Sequence, residues 1–447
     1  MLPKEFEENI RNLLGAQSGD FFEALKYDAV KSLTVDFNRL RKADFERLSE
    51  LELEKIEHID NAYHYNGKIG SSVLWHAGVV YSQDSSAMLP VLALDVQPDD
   101  VVLDVCAAPG GKSIQILQGL NNEGLLVSNE IDSSRVKILY ENLVKTGYNN
   151  FVISSTFPKQ LEANKSMFNK ILVDAPCSGE GMFRKAGIES YHWNLKNVET
   201  CKVRQLEILN SIKDLLKNDG LLVYSTCTYN VKENEEVVCE FLKSNPEFEL
   251  IDLPKNVYDN TSRGVIVDKS FDTTKCGRRY PHLHKGEGQF IALFKKNSAT
   301  RNNDRVSTAG FQDLYKRDKE LIEKTLKDVL DINDIDFVKK GNNIYALPKE
   351  MIDFSSFNIL CLGCMVGTIE AGQLKLNHAF YKGYGYRFYN KVELSLEESK
   401  TYLTGNVLDI IANDGICAVL YNGLVLGGGK VSKGVLKNYY PKTLRNK

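Results

Sequence analysis

The chain has 447 residues, 43% of them hydrophobic and 26% charged, with a formal net charge of −3. That composition excludes a disordered or fibrous protein, and the length implies about two to four domains with ample core. A near-neutral balance gives whole-chain charge no part in binding nucleic acid, so any basic surface is local. No stretch reaches the uninterrupted apolar length of a membrane span, and the acidic, amphipathic start lacks the basic region and apolar core of a signal peptide. Nine scattered cysteines fit free thiols in a reducing, cytoplasmic compartment.

Residues 1–70 carry helical apolar spacing at Phe6, Ile10, Leu13 and Leu14, and again at Phe45, Leu48 and Leu51, which predicts a small leading domain. From about 100 to 296 apolar strands alternate with helices. A strand over 101–105 turns through Pro109, Gly110 and Gly111 into a helix, and a strand over 125–128 precedes a helix opening at Ser133. Strands over 151–153 and 170–174 follow, then an amphipathic helix over 204–216, a strand over 221–224 and a helix over 233–242. Strands over 248–251 and 290–294 close the series. This alternation predicts an α/β, doubly wound, mostly parallel sheet with right-handed connections and ligands at the carboxyl ends of its strands. The polar stretch 297–310 reads as a linker. Residues 311–370 read as a small α+β domain opened by a helix over 314–330, and 371–447 as a last domain of short strands. After Asp414 no acidic residue follows, whereas Lys430, Lys433, Lys437, Lys442, Arg445 and Lys447 do, with Tyr439 and Tyr440 interleaved. Such a patch fits a solvated tail as well as RNA contact.

Four strand ends carry candidate chemistry. In Asp104-Val-Cys-Ala-Ala-Pro-Gly-Gly-Lys-Ser113 a strand ends, two glycines turn and a helix begins. Glycines admit close backbone approach and the helix N-terminus favours an anion. The run is neither a dinucleotide fingerprint nor a phosphate loop, and it suits a carboxylate such as the methionine end of S-adenosylmethionine. Glu130, at the next strand end, is placed to accept hydrogen bonds from ribose hydroxyls, while Asp132 fits the cap of the helix at Ser133. The third end is Asp174-Ala-Pro-Cys177 and the fourth is Cys227. Two thiols and an aspartate would then share one sheet edge, although an incidental thiol in a turn and a strand-end cysteine are the bland alternatives. A thiol reacts only where a cation or a helix N-terminus lowers its pKa, and the helix starting near Lys232 is a candidate source. Spacing alone leaves open which cysteine attacks. Arg184 and Lys185 follow the third motif and read as phosphate contacts; Arg278 and Arg279 are further candidates for RNA. Cys201, Cys239, Trp75 and Trp193 read as core. Cys361-Leu-Gly-Cys364 has metal-ligand spacing but no second pair, so no metal is expected.

In combination, DVCAAPGGKS, NEIDSSR, LVDAPCSGEGMFRK and YSTCTYNVKENEE, in that order, resemble the motifs of the RNA (cytosine-C5) methyltransferases of the Sun/Fmu class. The resemblance extends upstream over 77–88 and downstream over 279–288. The tail over 426–442 is similar to the C-terminal RNA-binding segment of members that act on the small ribosomal subunit. The resemblance covers the chain from about 70 onward and the leading segment more loosely. It implies a Rossmann-like, S-adenosylmethionine-dependent catalytic domain over 71–296, a PUA-like RNA-binding domain over 371–447 and RNA contact by the leading domain. It further implies that Cys227 is the nucleophile, that Cys177 assists release of the adduct and that Asp174 holds the cytosine N3. Cofactor contacts carry over to Cys106, Ala107, Ala108, Pro109, Gly110, Gly111, Lys112, Glu130 and Asp174, and RNA contacts are expected at Arg135, Arg184, Lys185, Lys430, Lys433 and Lys437. The expected partner is RNA, 16S rRNA or the small ribosomal subunit, bound by a cytoplasmic monomer with no membrane association. The alternatives are tRNA as substrate, or a non-catalytic RNA-binding assembly factor. One position departs from the family pattern: many members place an aspartate beside the adenine after the third strand, and here Ser154-Ser-Thr-Phe-Pro158 has no acid.

Overall fold

The computed structural model describes residues 2–162, 165–184, 193–297 and 306–446. Lys185 and most of the expected linker lie outside the described residues. Ten strands form one sheet. In chain order they are β1 Val101–Asp104, β2 Leu125–Asn129, β3 Phe151–Ser154, β4 Phe168–Asp174, β5 Leu216–Thr226, β6 Phe248–Ile251, β7 Ser262–Arg263, β8 Gly277–Arg279, β9 Gln289–Lys296 and β10 Ile359–Leu362. Their spatial order is β7-β8-β9-β5-β4-β1-β2-β3-β10, with β6 also paired to β9. The five central strands are parallel, whereas β9 and β10 run antiparallel to their neighbours. Every residue of β1, β2 and β3 is buried, as expected of parallel strands covered on both faces.

The crossover helices are α1 Gly111–Leu120, α2 Ser133–Thr146, α3 Leu195–Ile212 and α4 Glu235–Ser244. Asp132 caps α2, accepting the N–H groups of Ser134 at 2.8 Å and Arg135 at 3.3 Å. Helix α3 starts earlier than its apolar spacing predicts, because Asn194 caps it through the N–H of Asn197 and Val198 and Cys201 extend its buried face. It also ends earlier, since the chain from Leu216 onward pairs with β4 as part of β5.

The remaining sheets are antiparallel or mixed. A four-stranded sheet spans Ser32–Val35 to Val80–Ser82, across the expected boundary at 70. One five-stranded sheet covers Gln312–Asp313 to Gln373–Leu376, and another covers Lys391–Glu393 to Val435–Asn438. Leu33, Val35 and Val80 of the first sheet share one core with Val392 and Val431 of the last and with Tyr402 and Tyr440 beside it. The contact has polar ties as well: His76 bonds the Tyr440 hydroxyl at 2.7 Å and the Asn446 side chain at 2.8 Å. The buried Lys382 ammonium donates to the carbonyls of His76, Ala77 and Val425. Tyr440 is therefore core rather than part of a basic surface. The first helices pack Phe6, Ile10 and Phe21 against Phe183, Trp193, Tyr229 and Tyr280, beside the two cysteine-bearing loops. Among the described residues no helix is long and apolar enough to cross a membrane.

Candidate active site

The carboxyl ends of β1, β2, β4 and β5 converge because the strands run in register. Asp104 pairs with Ser128, and Asp174 with Ser225. After β1, Gly110 caps α1 at a φ of 114°, a conformation that disfavours any residue with a Cβ. Below the turn, the Ser113 hydroxyl donates to the Asp104 carboxyl at 2.7 Å, and burial pushes Asp104 up to about 7. Lys112 reaches across to Asp174 at 2.7 Å. Burial pushes the Lys112 ammonium down, but Asp174, Asp104 and Cys227 more than offset it, so its pKa is raised and the cation is retained.

At the end of β2, one Glu130 carboxylate oxygen accepts the N–H of Asp132 at 2.9 Å and the other lies 3.3 Å from the Arg135 guanidinium. At the end of β4, Asp174 accepts the Ser225 hydroxyl at 2.7 Å and the Gln289 amide at 3.4 Å. The Sγ atoms of Cys177 and Cys227 lie 3.3 Å apart. The hydrogen bond to Cys227, together with burial, holds the Cys177 thiol well above the ordinary range. Helix α4 begins at Glu235, later than expected, and Asn234 ties its start to Thr226 and Thr228.

These groups line one open cavity of about 1190 Å³, formed by Cys106, Ala108, Glu130, Arg135, Asp174, Cys177 and Cys227 together with residues of α3. Ala107, Pro109, Gly110, Gly111 and Lys112 belong to the same turn and helix start but do not line it. Sequence reasoning missed three of its walls. Asn129 holds the loops after β1 and β3 together, donating to the carbonyls of Val105 and Thr156 at 3.1 and 3.0 Å; a polar residue at the end of a fully buried strand was the available signal. Ile131 and Phe157 also line the cavity, although 50% and 60% exposed.

Three family models match in chain order. N-terminal domain of 16S rRNA methyltransferase RsmF matches residues 2–85, 16S rRNA methyltransferase RsmB/F matches 91–295, and Methyltransferase RsmF PUA domain matches 389–446. The chain belongs to the RsmB/F family of 16S rRNA methyltransferases. Ribosomal RNA small subunit methyltransferase F of Aliivibrio fischeri is 28% identical over 401 residues, covering 84% of this chain and 81% of its own length. The protein of the same name from Vibrio parahaemolyticus is 29% identical, covering 99% of this chain and 97% of its own length. Among solved structures, a methyltransferase homolog protein from Pyrococcus horikoshii superposes with a TM-score of 0.58 at 26% identity, over 66% of this chain and 95% of that one. As a member of the RsmB/F family the protein is an S-adenosylmethionine-dependent RNA methyltransferase.

The expected RNA contacts divide. Arg184 is held inside the protein rather than presented at the surface: its side chain is 6% exposed, and its guanidinium is closed by the Glu287 carboxylate at 2.9–3.2 Å and by the carbonyls of Ala24 and Gly286. Arg278 and Arg279 are likewise buried, Arg278 on the Glu235 carboxylate and Arg279 on Ser86 and the Asn260 carbonyl. Arg135 lines the cavity, held by Glu130 and by the Ala108 carbonyl. Lys430, Lys433 and Lys437 are exposed. Lys430 and Lys437 lie directly opposite each other on adjacent strands, so both project from one face.

Proposed function

We propose that the protein methylates C5 of a cytosine in 16S rRNA through a covalent bond between Cys227 Sγ and cytosine C6. The observation that carries this reading is the sulfur pair, 3.3 Å apart, at the strand edge that also presents Asp174. Cytosine C5 is a weak nucleophile until a thiolate adds to C6 and pushes electrons to C5. The hydrogen bond with Cys227 and burial favour the protonated form of Cys177, which suits Cys177 to proton delivery, and we assign the attack to Cys227. Lys112 supplies the nearby cation. Asp174, fixed by Lys112 and Ser225, is placed to hold N3 while charge develops on the ring. Loss of the C5 proton and elimination of Cys227 complete the cycle, and Cys177 is placed to assist elimination.

The cavity suits S-adenosylmethionine, which supplies the methyl group. The N-terminus of α1 behind Gly110 suits its carboxylate, and Glu130, with both oxygens oriented by Asp132 and Arg135, suits the ribose hydroxyls. Ile131 and Phe157 are apolar side chains open to the cavity and would take the adenine where the family's aspartate is absent. All nine cysteines are free thiols, which supports a cytoplasmic site of action.

Cys227→Ala is expected to abolish both methylation and covalent RNA adducts, whereas Cys177→Ala accumulates an adduct that survives denaturing electrophoresis. Turnover by Cys227→Ala would overturn the assignment. Bisulfite sequencing of a deletion strain identifies the substrate: loss of a 5-methylcytosine from 16S rRNA is expected, and loss from tRNA alone would refute the rRNA target.

A further inference from the structure

Each reactive cysteine sits on a loop that also carries a buried carboxylate, and each carboxylate grips the opposite loop. From the Cys177 loop, Glu180 accepts the Tyr229 N–H and the Asn230 side-chain amide, both at 3.1 Å, and the Trp193 indole N–H at 3.0 Å. From the Cys227 loop, Glu233 accepts the Ser178 N–H at 2.9 Å and the Ser178 hydroxyl. Glu233 also accepts the Gln205 amide at 3.0 Å, and the same amide donates to the Pro176 carbonyl at 3.0 Å. The backbone of Cys177 is thereby held on both sides, at Pro176 and at Ser178.

The two loops also touch directly. The Gly181 N–H donates to the Cys227 carbonyl at 2.8 Å, and a Cβ at Gly181 would lie 2.5 Å from that carbonyl oxygen. The hydroxyls of Ser178 and Thr228 meet at 3.0 Å. Both carboxylates are buried, and among the described residues neither is paired with a lysine, arginine or histidine, so hydrogen bonds to the loops are what hold them. Burying two carboxyls without a cation is unfavourable, and here each accepts a backbone N–H one or two residues from a sulfur, Ser178 after Cys177 and Tyr229 after Cys227.

We infer that Glu180 and Glu233 are positioning residues that clasp the two loops and set the separation of Cys177 and Cys227. The inference rests on the reading of Cys227 as nucleophile and Cys177 as release residue, and predicts that reach rather than charge is what matters. Glu233→Gln keeps the reach: its carbonyl oxygen accepts the Ser178 and Gln205 N–H groups while its NH2 donates to the Ser178 hydroxyl. Glu233→Asp keeps the charge but withdraws the carboxylate by one methylene, about 1.5 Å. Addition to C6 needs one sulfur and release needs both, so a loosened clasp slows release more than addition.

The test uses the full-length protein and two readouts. One is binding of phenylarsine oxide, which closes on two thiols only when their sulfurs are close, with Cys177→Ala as the background. The other is the lifetime of the covalent enzyme–RNA adduct. S-adenosylmethionine binding verifies the fold of each variant. Glu233→Asp is expected to bind the arsenical about tenfold more weakly or worse, from the loss of a buried charge-assisted hydrogen bond, and to prolong the adduct toward the Cys177→Ala lifetime. Glu233→Gln is expected to stay within about threefold of wild type on both, since its bonds are retained. Wild-type behaviour of Glu233→Asp, or equal losses in the two variants, would overturn the clasp. Should Glu233→Asp fail to bind cofactor, Glu180→Asp, which loosens the same clasp from the other loop, is read by the same criteria. Failure of the nucleophile assignment is separable: wild-type adducts would then survive Cys227→Ala, while arsenical binding still reports the clasp.

Discussion

Glu233 makes a sharp prediction about pH. Burial pushes its carboxyl from an ordinary 4.5 up to about 7, although Ser178 and Gln205 favour the charged form. The titratable groups around it are Glu180, Cys177, Cys201 and Tyr224; none is a cation. A carboxyl raised in the folded state favours folding fully below the unfolded value, and that contribution is lost as pH rises from about 4.5 through about 7. At roughly 1.4 kcal/mol per unit, the rise corresponds to about 3–4 kcal/mol. Glu233→Gln cannot titrate, so its stability relative to wild type should climb by about that amount between about pH 5 and pH 8 and then level off. Trp193 reports the right region, because its indole donates to Glu180 in the same network. Urea unfolding followed by fluorescence, in a Trp75→Phe background that leaves Trp193 as the remaining tryptophan, gives the difference at each pH. A difference that is flat across this range, or that falls with pH, would show that the Glu233 carboxyl is not raised in the folded state and is not held as the geometry requires.

Other perturbations separate binding from architecture. Lys112→Met removes the cation 2.7 Å from Asp174; a charge-assisted hydrogen bond contributes about 1.5–3 kcal/mol, so kcat/KM for methylation should fall about tenfold to a hundredfold, and an unchanged value would remove Lys112 from the site. Arg184→Met leaves Glu287 buried without its partner, which should destabilise the protein by about 3–5 kcal/mol while the RNA affinity of the folded fraction stays constant; a stable variant with weakened RNA binding would restore the phosphate-contact reading. Lys430→Gln with Lys437→Gln should weaken RNA binding and reduce the slope of log affinity against log salt by about 1.5, with S-adenosylmethionine affinity unchanged. An unaltered slope would place the RNA elsewhere.

The parallel strands were legible because burial on both faces leaves their centres apolar, and the strand-end residues were legible because parallel register brings carboxyl ends to one edge. Long-range partners were not. Nothing local to Arg184 reveals Glu287, more than a hundred residues downstream, so a basic residue after a reactive loop read as a phosphate contact. Glu180 and Glu233 sit in sequence contexts, Ser-Gly-Glu-Gly and Lys-Glu-Asn-Glu-Glu, that suggest solvated acids, yet both are buried and grip the other loop. Tyr440 looked like part of an exposed basic stretch until its hydroxyl was found on His76. The strand Ile359–Leu362 reads as part of a separate small domain, but hydrogen bonds with Phe151–Ser154 add it to the catalytic sheet. In each case the deciding contact is tertiary, and no spacing rule carries it.

The union of the two chain ends bears on how a target base is chosen. Domains joined through small polar contacts move relative to one another by default. Here the leading and last sheets share an apolar core, Lys382 ties the segment before Gly78 to the last sheet through three carbonyls, and Ile359–Leu362 fastens the intervening domain to the catalytic sheet. The basic face at Lys430 and Lys437 is therefore held at a fixed distance from Cys227 rather than tethered by a flexible segment. A flexible tether would raise the local concentration of RNA over a wide radius and select among cytosines only through the pocket. A rigid one admits to the pocket only those cytosines whose spacing from the surface-bound RNA matches the protein. On the proposal that Lys430 and Lys437 contact RNA and that Cys227 attacks the target cytosine, the packing between the chain's two ends would set the spacing between bound RNA and pocket, and so contribute to the choice of position.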